Sequence, residues 1–193
     1  MWATRRTLGG GPVERFHKVS LHESNGCVCA ERPVASRDAH DNPPVICAPV
    51  SGRVVALDQV KDPAFACGML GEGLGFEAEQ NVVLSPVTGT VVADVKTKHA
   101  LLIEAETGAE VLVHVGVDTV SLHGRGFTTF VGKGDRVRVG QPVIKFDQKL
   151  ISERGLDNTV IVTVTNAEAF AEVRPVVKAD VVEAGSPVLR AAR

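Results

Sequence analysis

Two histidines near the middle of the chain are the residues best suited to chemistry. His99 and His114 flank a run of aliphatic residues, and Gly116 and Asp118 follow His114 closely. A neutral imidazole is a nucleophile and a general base, and its charge changes near neutral pH. A pair of imidazoles suits accepting and passing on a group such as phosphoryl, with the second ring hydrogen-bonded to the incoming anion. The pair also suits zinc if a third ligand is available.

The segments that must position these histidines are two predicted β-strands, residues 100–104 and 109–115, joined by a tight turn at Thr107-Gly108. With a two-residue loop, odd positions of the first strand share a face with even positions of the second. His99 and His114 then lie together on an apolar face with Leu101, Ile103 and Leu112. A three-residue loop would put the two histidines on opposite faces, so the pair depends on the turn.

The composition is typical of a globular all-β protein. The chain has 193 residues, of which 44% are hydrophobic and 23% charged, enough for one domain with an extension. Short valine-rich runs separated by glycine and proline favour a sandwich or barrel. The net charge of −2 does not indicate nucleic-acid binding. No apolar run is long enough to cross a membrane, so we expect no direct membrane insertion.

The chain divides into an N-terminal extension, residues 1–44, and a domain, residues 45–193. The extension is rich in glycine, proline and polar residues and is predicted to be irregular or flexible. It contains no apolar stretch of the kind found in secretory signals, so we expect a cytoplasmic protein with four free cysteines. Within the domain, residues 46–56 resemble residues 83–93, and residues 135–144 resemble residues 180–189, which indicates a duplicated hairpin motif.

Several motifs, in the right order and with the right gaps, resemble one protein family. They are residues 48–52 (Ala-Pro-Val-Ser-Gly), 85–89 (Ser-Pro-Val-Thr-Gly), Thr97-x-His99, 113–120 (Val-His-Val-Gly-Val-Asp-Thr-Val), 124–127 and 134–140. Together they closely resemble the glucose-type IIA domain of the bacterial phosphoenolpyruvate:sugar phosphotransferase system, from about residue 45 to 189. The resemblance implies an all-β barrel-sandwich hybrid with a few short helical turns.

The resemblance also implies roles for the site residues. His114 would accept a phosphoryl group from the histidine-containing phosphocarrier protein and donate it to a sugar-specific IIB domain or IIBC permease. His99 would stabilise the transferred group, and Thr97 would orient His99, since residues two apart on a strand share a face. Gly116 would permit close backbone approach and fix Nδ1 of His114 through its carbonyl. Asp118 would tune the local charge or cap a turn.

Partner docking is expected around the two histidines. The matching positions are Phe65, Val95, Leu112 and Val115. Phe65 is equally well explained as a core anchor for its loop. No cofactor is required, although His99 and His114 could hold zinc together with a partner's ligand. Regulatory targets are compatible with the resemblance, and the sugar is not determined by the sequence.

Two other functions remain open. His114 and Asp118 match the H-x-x-x-D half of a lysostaphin-like zinc endopeptidase, which shares the fold class, but the H-x-H motif of that family is missing. The chain could also be a regulatory binding protein that has kept the fold and lost phosphoryl transfer. A lipoyl- or biotinyl-type carrier is disfavoured, because no lysine stands in the required hairpin.

Overall fold

The computed structural model describes residues 44–193 and consists mainly of short strands. The strands are β1 Val45–Cys47, β2 Gly52–Ala56, β3 Glu72–Ala78, β4 Val82–Leu84, β5 Gly89–Asp94, β6 Ala100–Ala105, β7 Glu110–Val117, β8 Phe127–Thr129, β9 Arg136–Val137, β10 Pro142–Phe146, β11 Asp157–Val164, β12 Glu172–Pro175, β13 Val181–Val182 and β14 Pro187–Ala192. The all-β prediction is confirmed. The predicted extension falls on residues 1–43, which lie outside the described part, and on Pro44.

Helices are short in the described part of the chain. They are α1 Pro63–Ala66, α2 Gln148–Glu153, and 3-10 turns at Leu57–Gln59, Thr119–Leu122 and Ala167–Ala169. Asp62 caps α1, accepting a hydrogen bond from the Ala64 amide at 2.8 Å, and proline occupies the first helical position. Asp147 caps α2 in the same way, accepting from the Leu150 amide at 3.0 Å. Aspartate therefore starts both helices, in keeping with the preference of N-cap positions for this residue type.

The strands pair antiparallel in three sheets. The largest has the order β13-β2-β3-β11-β7-β6-β5-β9, and the two smaller sheets are β1-β14-β12 and β4-β10-β8. The pairing repeats itself: β13 lies beside β2 as β9 lies beside β5, and β14 lies beside β1 as β10 lies beside β4. This symmetry supports the duplicated hairpin motif inferred from the sequence repeats. In the middle of the large sheet β7 pairs with β11. This pairing joins the β3–β11 pair to the β6–β7 hairpin.

Two apolar clusters lie on opposite faces of the large sheet. Alternate residues of β7 and β11, such as Val113 and Val162, enter the main core between the sheets. The residues between them, such as Leu112 and Ile161, belong to a smaller outer cluster. Residues 57–70, here termed the cover segment, close this outer cluster with the side chains of Val60 and Phe65.

The β6–β7 hairpin has a three-residue loop, so the predicted two-residue loop is wrong. Ala100 pairs with His114 and Glu104 with Glu110, leaving residues 106–108 in the loop. Gly108 adopts a left-handed φ of 84°, the usual ending of a three-residue hairpin loop. As a consequence, Leu101 and Ile103 enter the main core, whereas Leu112 packs against the outer cluster. The predicted apolar face shared by these three residues does not exist.

Candidate functional site

The rings of His99 and His114 nevertheless meet, with centroids 4.8 Å apart and an interplanar angle of 84°. His114 is a regular β7 residue on the outer face. His99 lies just before β6 and follows Lys98, whose φ of 60° bends the chain. The His99 carbonyl still accepts a hydrogen bond from the Val115 amide at 2.8 Å. The histidine pair is therefore made by a residue outside the strand, where the alternation of faces no longer applies.

Thr97 lies beside His99. Its Oγ1 is 2.8 Å from His99 Nδ1, and His99 is only 8% exposed. The threonine hydroxyl therefore occupies one ring nitrogen and leaves Nε2 for other contacts. Burial lowers the pKa of His99, while the hydrogen bond to Thr97 acts in the opposite direction.

His114 is half-buried, and its ring packs edge-on against Phe65, with centroids 5.2 Å apart. Burial and then the neighbouring His99 lower the pKa of His114 to about 4, against smaller raising effects of Asp62 and the Gly116 backbone. The imidazole is therefore neutral at pH 7. Within the described residues, the buried Nδ1 makes no hydrogen bond of ordinary geometry. The expected bond from Nδ1 to Gly116 is thus not formed, although the Gly116 backbone is near enough to act on the pKa.

Gly116 occupies a position that tolerates no side chain. Its φ is 75°, and a Cβ there would overlap Thr119 Cγ2 and lie 2.7 Å from the Asp157 carbonyl oxygen. Close backbone approach at Gly116 is therefore part of the structure. Asp118 is exposed, also left-handed at φ 58°, and precedes the 3-10 turn Thr119–Leu122. Its carboxylate caps nothing; its backbone carbonyl instead accepts from Ser121.

The structure revises two of the four predicted docking residues. Phe65 is 1% exposed in the outer cluster and Val115 is fully buried in the main core, so neither side chain is available to a partner. Phe65 is the anchor of the cover segment, and Val115 faces inward because its neighbour His114 faces outward. Val95 is 39% exposed, and Leu112 is half-buried. These two side chains remain candidates for contact.

Sequence reasoning missed two residues at the site. Thr119 is fully buried and its hydroxyl donates to the Val115 carbonyl at 2.6 Å. Its position five residues after His114 gave no signal, because buried threonines are common in β proteins. Asp62 gave no functional signal either, because an aspartate before a proline is typical of a helix start. Its charge also raises the pKa of His114, which places a carboxylate near the imidazole.

A complete metal site is not present in residues 44–193. That part of the chain holds no group of three or more His, Cys, Asp or Glu side chains placed to bind a metal ion. The H-x-x-x-D pair His114 and Asp118 is thus not completed into a zinc site there, and the endopeptidase alternative finds no support.

None of the helices in residues 44–193 is both long and apolar enough to span a bilayer.

An antiparallel β domain with two contacting imidazoles, one of them neutral and half-buried, has what a histidine-based group carrier requires: a nucleophile and a second ring beside it. Comparison with known proteins agrees. The family model for the phosphoenolpyruvate-dependent sugar phosphotransferase system, EIIA 1, matches residues 44–170. The chain belongs to this family. It is a component of that system, whose EIIA proteins transfer phosphoryl groups through a phosphohistidine.

Individual relatives give the extent of the likeness. The chain is 37% identical to the glucose-specific EIIA component of Oceanobacillus iheyensis, over 75% of this chain and 88% of that protein. It is 42% identical to the beta-glucoside-specific EIIBCA component of Bacillus subtilis, over 72% of this chain but only 23% of that longer protein. Among solved structures, glucose permease IIA from Mycoplasma capricolum matches with a TM-score of 0.68 and 32% identity, over 77% of this chain and 96% of that one.

Proposed function

We propose that the protein is a phosphocarrier that accepts a phosphoryl group on His114 and donates it to a sugar-specific IIB domain. The single observation that carries the assignment is the contact between the His99 and His114 rings, 4.8 Å apart. Phosphoryl transfer requires a positioned nucleophile and charge stabilisation, with little further covalent chemistry from the protein. One ring supplies the nucleophile, and the other is placed to bind a phosphoryl oxygen.

His114 is the more accessible of the two rings, since it is half-buried whereas His99 is only 8% exposed and has Nδ1 against Thr97. The lowered pKa of His114 keeps the ring neutral at physiological pH, so a nitrogen lone pair is available without prior deprotonation. The Phe65 ring, 5.2 Å away, and the outer cluster restrict water around it. In the transfer, the bond between phosphorus and the donor's histidine nitrogen breaks as the bond to the His114 nitrogen forms. The donor ring, protonated on its other nitrogen, leaves as neutral imidazole, and the positive charge passes to the phosphorylated His114 ring, which can release its remaining N–H proton to solvent.

His99 is the stabilising partner. Thr97 holds Nδ1 of His99 at 2.8 Å, which keeps the ring in one orientation and directs the remaining nitrogen to the anion. Gly116 keeps the end of β7 close to the ring of His114, and the carboxylate whose charge acts on that ring is Asp62.

The partners follow from the family. Fused EIIBCA relatives place IIB and IIC domains in the same system, so we infer transfer to a IIB domain or IIBC permease. The donor is the histidine-containing phosphocarrier protein, and the location is the cytoplasm.

Docking would use Val95, which is exposed, and the accessible part of Leu112. No cofactor is needed. Zinc would require a ligand from a partner, because residues 44–193 offer no third ligand beside the two histidines.

The test is labelling by phosphoenolpyruvate, enzyme I and the phosphocarrier protein, followed by mass spectrometry. The wild type should gain one acid-labile phosphoryl group, and His114→Ala should gain none. His99→Ala should accept the group and pass it slowly to the IIB domain of the Bacillus subtilis beta-glucoside-specific EIIBCA component.

The matched control is His123→Ala, which removes an exposed histidine from the turn after Leu122 and should label like the wild type. An unlabelled wild type, with a donor proven on a known EIIA protein, would overturn the proposal. The chain would then be a regulatory binder that has lost phosphoryl transfer.

A further inference from the structure

The pairing of His99 with Val115 is incomplete at the point where the two histidines meet. In an antiparallel ladder, two directly opposed residues of this kind exchange both of their backbone hydrogen bonds. Here the Val115 amide donates to the His99 carbonyl at 2.8 Å. Within residues 44–193, the reciprocal bond from the His99 amide to the Val115 carbonyl is not formed. Something else must satisfy this buried carbonyl, since Val115 is fully buried.

Thr119 satisfies it. The Thr119 hydroxyl donates to the Val115 carbonyl at 2.6 Å, and Thr119 itself is fully buried. The Thr119 hydroxyl thus binds the Val115 carbonyl, which in a regular ladder would accept a hydrogen bond from the His99 amide. This matters for the site, because a regular pairing at this position would continue the alternation of β6 and turn His99 toward the main core, away from His114.

The methyl group of Thr119 makes a second contact with the same strand end. A Cβ on Gly116 would overlap Thr119 Cγ2, so the methyl lies directly over the Gly116 backbone. Gly116 is left-handed, at φ 75°, and its backbone acts on the ring of His114. The side chain of Thr119 therefore makes two contacts: its methyl group packs against Gly116, and its hydroxyl binds the carbonyl of Val115, the residue opposite His99.

We propose that Thr119 is a positioning residue that releases His99 from the β6–β7 ladder and so brings two histidines from opposite-face positions into one site. It acts through Val115 and Gly116, with which its hydroxyl and methyl group make contact. The proposal deepens the proposed function, on which its kinetic test rests, but its structural test does not depend on phosphoryl transfer.

The kinetic test compares three variants. Thr119→Val keeps the shape and removes the hydroxyl, and it should slow transfer from His114 to the IIB domain by about tenfold to a hundredfold, since misplacing a reacting group by about 1 Å costs on the order of 10²-fold. Thr119→Ser restores the hydroxyl and should recover most of the rate. Ser85→Ala is the matched control: Ser85, just after β4, is also buried, and its hydroxyl donates to a backbone carbonyl, that of Val87, at 2.7 Å.

The structural test uses NMR on labelled protein without any partner. In the wild type, no coupling across a hydrogen bond should be seen between the His99 amide nitrogen and the Val115 carbonyl carbon, and ring protons of His99 and His114 should show a nuclear Overhauser effect. In Thr119→Val that coupling should appear and the ring-to-ring effect should weaken. A coupling in the wild type would overturn the proposal even if Thr119→Val fails to fold, and Thr119→Ser, which keeps the hydroxyl, should retain the ring-to-ring effect.

The outcomes separate the two proposals. A coupling between His99 and Val115 in the wild type, or a Thr119→Val variant with the wild-type rate and ring contact, overturns the role of Thr119. Equal slowing by Thr119→Val and Ser85→Ala also overturns it, because the loss would then follow from general destabilisation. A wild type that is not phosphorylated but shows the predicted NMR behaviour overturns the proposed function and leaves the role of Thr119 standing.

Discussion

The rings of His99 and His114 lie 4.8 Å apart, although the register of β6 and β7 assigns these two positions to opposite faces of the hairpin. The contact exists because His99 stands outside β6, after the left-handed Lys98. The site is therefore built at a strand end, where the turn before β6 and the 3-10 turn after β7 both influence it. Changes in these two turns should alter transfer more than changes within the strands.

Thr97→Val tests the orientation of His99. The substitution removes the hydroxyl that lies 2.8 Å from His99 Nδ1 and retains the shape of the side chain. We expect transfer to the IIB domain to slow roughly two- to tenfold, the equivalent of one hydrogen bond. Rapid-quench transfer assays of phosphorylated protein would measure this. Thr97→Ser should behave like the wild type, and so should Thr128→Val on the exposed side of β8. Unchanged transfer by Thr97→Val would remove Thr97 from the site.

The buried imidazole of His114 should make stability depend on pH. Its pKa is about 4 in the folded protein, below the ordinary value of 6.5, so between these values the unfolded chain binds more protons than the folded one. Stability should therefore fall as the pH drops through this window and should not depend on this group above it. The loss at pH 5 relative to pH 7 is about 2 kcal/mol. Burial acts on His99 in the same direction.

Urea unfolding of the wild type and of His114→Gln at pH 7 and pH 5 measures this dependence. The variant carries no ionisable group at the position, so it should lose less stability on acidification. If both proteins lose the same free energy of unfolding, the ring of His114 is not held in its neutral form by the fold.

Phe65→Leu tests the role of the cover segment. Phe65 is 1% exposed and its ring lies edge-on to His114, so its removal should lower stability by roughly 1–2 kcal/mol and hydrate the imidazole. The pKa of His114, followed by NMR titration, should therefore rise. Phe146→Leu is the control, because Phe146 is equally buried but belongs to the main core. It should cost similar stability and leave the pKa of His114 in place; an equal rise in both variants would count against a specific role for Phe65.

Gly116→Ala tests close backbone approach at the end of β7. A comparison with Gly155→Ala isolates the contact, since Gly155 has a similar φ of 69° but no neighbouring atom within 4 Å of the point where a Cβ would stand. Gly155→Ala should lower the free energy of unfolding only through the strain of a left-handed alanine, about 1–3 kcal/mol. Gly116→Ala should lose a further ~1–3 kcal/mol through overlap with Thr119 and the Asp157 carbonyl. Equal losses in denaturant unfolding would show that the end of β7 can yield to a side chain.

Much of the fold follows from local patterns. Short valine-rich runs and the repeated hairpin motif are visible in the sequence, because strand alternation and turns involve residues close together in the chain. His99 and His114 were also recognisable from their types and spacing, and Thr97 from the resemblance to the family. Their pairing was predicted from a two-residue loop that does not form.

The tertiary structure decided which side chains face the site. One additional residue in the β6–β7 loop exchanges the two faces of the hairpin, and a local sequence pattern distinguishes poorly between loops of two and three residues. The burial of Phe65 depends on contacts with strands far along the chain, and that of Val115 on the facing sheets. The residue types by themselves determined that this protein can carry a group on histidine; only the fold, through the strand end at His99 and the hydroxyl of Thr119, decided how the two rings meet.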